Sequence, residues 1–453
     1  MNLFNRDGQT PLFLAVQNKS IDIVGYLLDN GADINRRNYI NGSFDCTALF
    51  IAIEIDDENM VQFLLNNENC NIMTKTCSGF TPLDTATRRD NLVIVKMLID
   101  KIAKHKVYGK DIISHLLSSF HTAIHRSFME ITKYYLDTFK ILINMKSMQG
   151  ETPLESAARV NNLEIFKLLL DYGAEINYSL KERYERVVEG KSPMSYAVLN
   201  ANDMMVDLIF SRGTQTNCFD KSKNGVTILH LAVHSGSKDI IKRLLDRGLD
   251  INSKCKINGY KEMTPLLYAA CRNSNDIVPL LVAKGANLND TAKVKSKRMS
   301  IIDIAIRERC GGDFVMMLLN EGADINISSI TDRRLTEKTS KILERHLLKL
   351  KAAELFVHNK FDGWVSLGME KKVFYNKCRK EVKKMKEKII NEGTICYYDL
   401  LIKRVDQVAM FADNKDIEEA LEFGKLEAKF PLYAEMLLYN FKRGQRRHQL
   451  LKA

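Results

Sequence analysis

Two apolar sets alternate along the first three hundred residues, and both return at the same interval. The first opens on a hydroxyl residue, usually followed by Pro and Leu: Thr10-Pro11-Leu12, Thr47-Ala48-Leu49, Thr81-Pro82-Leu83, Thr152-Pro153-Leu154, Ser192-Pro193-Met194, Thr227-Ile228-Leu229, Thr264-Pro265-Leu266 and Ser300-Ile301-Ile302. An alanine stands five positions after each start, from Ala15 to Ala305. The second set places apolar pairs at i, i+1, i+4 and i+5, as in Ile23-Val24 with Leu27-Leu28, Ile165-Phe166 with Leu169-Leu170 and Ile240-Ile241 with Leu244-Leu245. Its last copy, Phe314-Val315 with Leu318-Leu319, slips by one. This spacing gives one apolar stripe on a helix. The starts lie 34 to 40 residues apart, except that Thr81 to Thr152 spans 71 and leaves room for one more unit.

Local chemistry explains why each interval should fold as two helices and a loop. Thr or Ser before Pro is a good N-cap followed by a good first helical residue, because the hydroxyl accepts from an orphan N–H and Pro has none to waste. The alanine lets two antiparallel helices approach. Gly31, Gly173, Gly213, Gly248, Gly285 and Gly322 close most units, in the left-handed position that ends a helix. Asn35, Asn177, Asn217, Asn252, Asn289 and Asn326 follow four residues later. A single such pair cannot bury its apolar face; stacked neighbours can, so stability becomes a sum over interfaces.

Asp7-Gly8-Gln9-Thr10-Pro11-Leu12-Phe13-Leu14-Ala15, closed by Gly31-Ala32-Asp33-Ile34-Asn35, resembles the ankyrin repeat, whose consensus is Asp-x-x-Gly-x-Thr-Pro-Leu-His-x-Ala. Asn224-Gly225-Val226-Thr227-Ile228-Leu229-His230-Leu231-Ala232 matches it too, including the histidine. The resemblance implies an all-α fold, an ankyrin-repeat solenoid of about nine repeats with one degenerate, across residues 1–330. Repeats are expected to start near residues 7, 44, 78, 112, 149, 189, 224, 261 and 297. Residues 103–148 lack Thr-Pro-Leu and the closing glycine, and read as a degenerate repeat with a longer second helix. Lys181–Gly190 and Thr291–Arg298 read as extended loops between repeats. The first repeat begins almost at Met1, so either the array continues upstream of this sequence or its first helix exposes apolar surface.

Beyond residue 330 the period stops, and 331–453 reads as a small helical C-terminal region. Residues 371–390 hold nine Lys or Arg against Glu381 and Glu387, with Val373, Phe374, Cys378, Val382, Met385 and Ile389 at helical spacing. That describes an amphipathic basic helix with its apolar stripe turned inward. The stretch Phe430-Pro431-Leu432-Tyr433-Ala434-Glu435-Met436-Leu437 resembles the end of the PRANC domain, an F-box-like module that follows ankyrin arrays in poxvirus, parasitoid-wasp and bacterial-symbiont proteins. The match spans roughly 400–453, with Phe-Pro where F-boxes usually begin Leu-Pro. It implies docking to the adaptor subunit of a cullin-type ubiquitin ligase, with Phe430, Pro431, Leu432, Met436 and Leu437 as the docking candidates.

Composition narrows the chemistry. With 45% hydrophobic and 27% charged residues the chain is ordinary for a soluble protein, and its +11 formal charge points to acidic partners. Nine cysteines without C-x-x-C spacing argue for a reducing compartment and against a disulfide frame or zinc site. Cytosol or nucleus is therefore the expected location, that of a host cell if the protein is a viral or secreted effector. No membrane partner is expected, and no apolar run reaches the roughly 18 residues of a membrane helix. No phosphate loop, dinucleotide fingerprint or nucleophile elbow occurs, so no catalytic residue, cofactor or metal is assigned. His121 and His125, like His230 and His234, sit four apart but lack the glutamate of a zincin.

In ankyrin arrays the short first helices and loop tips line one concave face, which here is read at the seventh and eighth positions after each Thr or Ser. Those positions give Gln17, Asn18, Glu54, Arg88, Arg89, Arg159, Leu199, Asn200, His234, Arg272 and Arg307 as groove candidates. Their arginines call for a target protein with an acidic or mixed acidic and apolar surface. The competing readings are a scaffold or decoy acting by occupancy, and a nucleic-acid-associated regulator using the 371–390 helix; nucleic acid is the less expected partner.

Overall fold

The structure is a computed structural model that describes residues 2–40, 43–104, 110–176, 192–212, 222, 224–325, 335–355, 369–391, 395–403 and 405–452. Contacts divide the described residues into two units, one up to 212 and one from 222 onward.

The first unit is six helix pairs: α1 Pro11–Gln17 with α2 Ile21–Asp29, α3 Ala48–Glu54 with α4 Glu58–Asn66, α5 Pro82–Arg88 with α6 Leu92–Lys104, α7 Lys110–His125 with α8 Met129–Thr138, α9 Pro153–Arg159 with α10 Leu163–Asp171, and α11 Pro193–Leu199 with α12 Asp203–Ser211. The second unit opens with three more: α13 Ile228–Ser235 with α14 Lys238–Asp246, α15 Pro265–Cys271 with α16 Ile277–Ala283, and α17 Ile301–Arg307 with α18 Gly312–Asn320. Most of the hydroxyl starts cap as expected, Thr47 being an exception with no side-chain cap bond. Thr10 Oγ1 accepts from Phe13 N at 3.3 Å, and Thr81, Thr152 and Ser300 form reciprocal capping boxes with Asp84, Glu155 and Asp303. The alanines from Ala52 to Ala305 have no exposed surface in most repeats, and the paired aliphatics of the second helices are buried with them.

Two turns define each pair, and only one of them had a uniform sequence signal. The closing glycines Gly31, Gly173, Gly248, Gly285 and Gly322 have φ between 82° and 94° or, at Gly248, 81°. The turn between the two helices also needs a left-handed residue, and it is filled by Lys19, Asp56, Asp90, Ser127, Asn161, Ala201, Asn273 and Arg309, with φ of 51° to 65°. Asp56, Asp90, Asn161 and Asn273 are of the types that adopt that conformation most readily, whereas at Lys19, Ser127, Ala201 and Arg309 the packing of the two helices imposes it. The closing asparagines stitch neighbours together: Asn35 Oδ1 accepts from Asn71 N at 2.8 Å, Asn252 Oδ1 from Asn287 N at 2.9 Å, and Asn289 Oδ1 from Asp324 N at 3.2 Å.

Two local readings are corrected. The degenerate repeat has a long first helix, not a long second one: α7 runs 16 residues and α8 only 10, followed by a 3-10 turn at Lys140–Asn144. Inside α7, Ser118-Ser119-Phe120-His121-Thr122-Ala123 occupies the Thr-Pro-Leu-His-x-Ala register, 37 residues after Thr81 and 34 before Thr152. Helical residues such as Ile112, Ile113, Leu116 and Leu117 run unbroken into Ser118, with no Pro to bar them, so the helix extends backward and hides the repeat start. The stretch Thr291–Arg298 is a hairpin rather than a loop. An earlier connection forms the two-stranded hairpin β1 Asn38–Ile40 with β2 Ser43–Cys46, and strands β3 Cys255–Ile257, β4 Tyr260–Met263, β5 Ala292–Val294 and β6 Lys297–Met299 join two successive inter-repeat connections into one four-stranded antiparallel sheet. The segment 181–190, and Gly213, Asn177, Asn217 and Asn326, lie outside the described residues. In the first pair α2 leaves Ile23 and Tyr26 exposed.

The C-terminal part of the second unit packs onto α18. Helix α19, Glu337–Ala352, comes so close that a Cβ at Gly312 would lie 2.9 Å from Ile342 Cδ1, and Lys338 Nζ reaches Asp313 at 3.0 Å. Helices α20 Met369–Glu387, α21 Tyr397–Ile402 and α22 Val405–Ala409 follow, then α23 Lys415–Ala420, α24 Phe423–Lys429 and α25 Ala434–Lys452. They share a core of Cys378, Val382, Met385, Leu400, Leu426, Phe430, Tyr433 and Leu437.

Candidate functional site

The groove candidates sit at the C-terminal ends of the short first helices, where the chain turns and side chains reach solvent. In the first unit Gln17, Asn18 and Asn200 are exposed and Leu199 is half-buried. Asn18 and Asn200 are turned back on the backbone, bonding Leu14 O at 3.0 Å and Ala158 O at 2.9 Å.

The arginines are not free cations. Arg89 pairs with Glu54 of the preceding repeat at 3.6 Å, both side chains being nearly half exposed. Arg88 lies flat over the Phe80 ring, 4.3 Å from its centroid. Arg159 is tied into a network spanning three repeats. Its Nε donates to Glu151 Oε2 at 3.1 Å and its Nη2 meets His125 Nε2 at 2.8 Å, while Glu151 Oε1 accepts from Tyr196 Oη at 3.0 Å. Behind it, His121 bonds Ser156 Oγ at 3.0 Å and Met145 O at 3.4 Å. Burial lowers the His121 pKa to about 4, and burial together with the Arg159 charge lowers that of His125. Burial and the Glu151 carboxylate raise the Tyr196 phenol.

The second unit repeats the theme with different residues. His234 stacks on Tyr268 at 6.2 Å and 11° and bonds its Oη at 2.8 Å. Burial, then the Arg272 charge, lowers the His234 pKa. Arg307 lies over Tyr260 at 5.3 Å, and Tyr260 Oη donates to Glu308 at 2.6 Å. His230 is occupied on both nitrogens, by Thr227 Oγ1 at 2.8 Å and Met263 O at 3.1 Å. His121 makes the same two kinds of bond, which fits its place in the repeat register and leaves neither histidine pair poised for a metal. Among the described residues no group of three or more His, Cys, Asp or Glu could hold a metal ion. No helix of the described residues is long and apolar enough to cross a membrane.

The partners of these arginines were missed, although the sequence carried a trace of them. The residue just before the cap meets the arginine eight positions on: Phe80 with Arg88, Glu151 with Arg159, and Met299 Sδ with Arg307 Nη1 at 3.7 Å. A column of variable residues at that slot, read against the helix end, is the signal.

In the C-terminal region Phe430 and Leu437 are fully buried, and the Phe430 ring packs 4.8 Å from Tyr397. Pro431 is exposed, and Leu432 and Met436 are half-buried beside it. The basic helix α20 turns Cys378, Glu381, Val382 and Met385 inward and keeps Lys372, Lys377, Arg379 and Lys380 exposed.

Comparison with known proteins gives matches to two family models. The model for "Ankyrin repeats (3 copies)" matches residues 39–111, 105–180, 178–255 and 250–329, and the model for "Ankyrin repeat" matches 7–39. The "Putative ankyrin repeat protein FPV031" of Fowlpox virus (strain NVSL) is 31% identical over 181 residues, covering 39% of this chain and 51% of that protein. A second protein of the same virus, "Putative ankyrin repeat protein FPV230", is 28% identical over 169 residues, 37% of this chain and 66% of that protein. Among solved structures, the ankyrin repeat domain of Bcl-3 aligns with a TM-score of 0.43 at 20% identity, over 53% of this chain and all of that domain. The chain thus spans about half to two thirds of the length of these viral relatives.

Proposed function

The chain belongs to the ankyrin-repeat family, whose repeats are protein-interaction modules, and from this premise we propose that it holds a target protein with an acidic or mixed acidic and apolar surface and performs no catalysis. One observation supports the acidic half of this reading: Arg88 and Arg89 stand together at the exposed end of α5, held only by a ring face and a half-exposed carboxylate. An ion pair of that exposure contributes about 0–1 kcal/mol. A partner carboxylate can therefore replace Glu54 at little cost and gain a bidentate contact. Arg159 is a poorer anchor, since leaving Glu151 would orphan a buried acid and Tyr196.

The test is capture of proteins from an extract of the source cells by the full chain and by an Arg88→Glu/Arg89→Glu variant of equal helicity. Loss of captured proteins supports the reading; identical capture removes it. Arg159 is left intact so that the fold is not perturbed.

A second reading, coupling of the target to a cullin-type ubiquitin ligase, is supported by the exposed Pro431 beside half-buried Leu432 and Met436. Truncation is a poor test, because Leu426, Phe430, Tyr433, Leu437 and Phe441 belong to the core. Leu432→Asp/Met436→Asp in the full chain should remove ligase subunits from the captured set while leaving the target in it. Action in the cytosol or nucleus accompanies both readings.

A further inference from the structure

We propose that the outward face of the β3–β6 sheet binds an extended acidic segment of the partner protein, a surface distinct from the groove. The inference rests on the reading that the partner is acidic, and it names where the acid is recognised.

One cation per strand lies on this face, by alternation on β3, β5 and β6 and, on β4, with an irregularity at Glu262, whose φ is 62°. Cys255, Ile257, Tyr260, Met263 and Ala292 point inward and are buried. Lys256, Lys261 and Arg298 are exposed and Lys293 half-exposed. Register aligns them: Lys261 stands opposite Lys293, and Lys293 opposite Arg298. Lys256 lies on β3 between Cys255 and Ile257, whose partners on β4 are Met263 and Tyr260. With strands about 4.8 Å apart, four cations cross the sheet in a row roughly 14 Å long.

Like charges directly opposite one another destabilise a sheet. This row has little internal compensation. Glu262 reaches Arg298 at 3.2 Å, and Thr291 Oγ1 accepts from it at 3.0 Å. No ion pair reaches Lys256, Lys261 or Lys293 among the described residues. A fold that tolerates three uncompensated lysines side by side gains from an anion laid across them. The inward face is already engaged, with Tyr260 under Arg307 and bonded to Glu308, so the lysines look away from the groove helices. Lysine point charges without an aromatic residue among them suit carboxylates on an extended peptide; they offer no platform for stacked bases. Five extended residues cover about 13–17 Å and present acids on alternate positions to the row.

The experiment measures binding of a labelled peptide of about ten residues alternating Asp and Thr to the full chain, by fluorescence anisotropy at low and raised salt. Variants are Lys256→Glu/Lys261→Glu/Lys293→Glu, the same three positions to Gln, and Arg88→Glu/Arg89→Glu. A mixed-sequence single-stranded oligonucleotide is run alongside. The expected result is salt-sensitive peptide binding weakened roughly tenfold or more by the Glu triple, less by the Gln triple, and least by the arginine pair. If the peptide binds and only the arginine pair weakens it, the sheet proposal is overturned while the groove reading stands. If the wild-type chain does not bind the peptide, both fall. Tighter binding of the oligonucleotide, lost in the Glu triple, overturns the proposal in favour of a nucleic-acid surface.

Discussion

Replacing Glu381 with Ala should open the turn that carries Pro431. Glu381 stands on α20, is 8% exposed, and accepts from the N–H groups of Leu432 at 2.9 Å and Tyr433 at 3.3 Å. Pro431 has no N–H, so these are the two donors the turn presents. Burial pushes the Glu381 carboxyl up from its usual range, against the pull of those two N–H groups and of Lys349. Without the carboxylate, the Tyr433 N–H keeps Phe430 O at 3.0 Å and loses the longer arm of a shared bond, worth about 0.5–1.5 kcal/mol. Leu432 is half-buried and its N–H can recover a water, so it adds roughly 0.5 kcal/mol. A total of about 1–2 kcal/mol, at 1.4 kcal/mol per factor of ten, makes opening of the turn some 5- to 30-fold more frequent. Hydrogen exchange of peptides covering 426–437 in the intact chain reads this directly, which matters because a chain of two units has no single unfolding free energy. Glu381→Gln keeps an acceptor and should lose about half as much. Exchange within threefold of wild type in the Ala variant, or equal acceleration in α13 and α14, would refute the claim that this carboxylate holds the turn.

Gly31→Ala and Gly322→Ala separate backbone strain from packing, since both glycines have φ above 80° but only at Gly322 would a Cβ meet another side chain, 2.5 Å from Tyr439 Cε1. The first should cost about 1–2 kcal/mol and the second clearly more, read as local exchange rates; equal effects would contradict the close approach of α25. For His121, the unfolded ring binds its proton near the ordinary histidine value of 6.5 and the folded one only at about 4. The unfolded chain therefore holds more protons between those values, and acid favours it: stability is unaffected above about pH 6.5 and falls as pH drops toward 4, by up to about 1.4 kcal/mol per pH unit. His121→Gln should flatten that slope in the hydrogen-exchange protection of α7 and α9, and an unchanged slope would assign the acid sensitivity elsewhere.

What could be read along the chain was whatever local chemistry writes with a fixed period. Thr81 and Thr152 cap because hydroxyl, Pro and a following acid meet within one turn, and Thr10 caps with hydroxyl and Pro alone. Gly31 and Gly173 close because few other residues tolerate a left-handed backbone. The apolar stripes follow from helical geometry alone. The degenerate repeat was misread because the helical residues before Ser118 continue without a break, so α7 runs through the repeat start and carries His121 in place.

The ends of the short first helices were legible as positions, but the state of the charges they carry was not. Whether Arg89 is free depends on Glu54, 35 residues away, and Arg159 depends on His125, 34 residues back. Stacking brings such residues within 4 Å without leaving a mark in the local pattern. The same holds for Lys261 and Lys293, ordinary lysines in sequence, which strand pairing sets opposite each other. Sequence alone determined that this chain builds stacked helix pairs, because caps, turns and stripes act over a few residues. Only the tertiary structure decided which cations are neutralised and which are left facing solvent, because charges interact through space, and neighbours in a stack are one whole repeat apart along the chain.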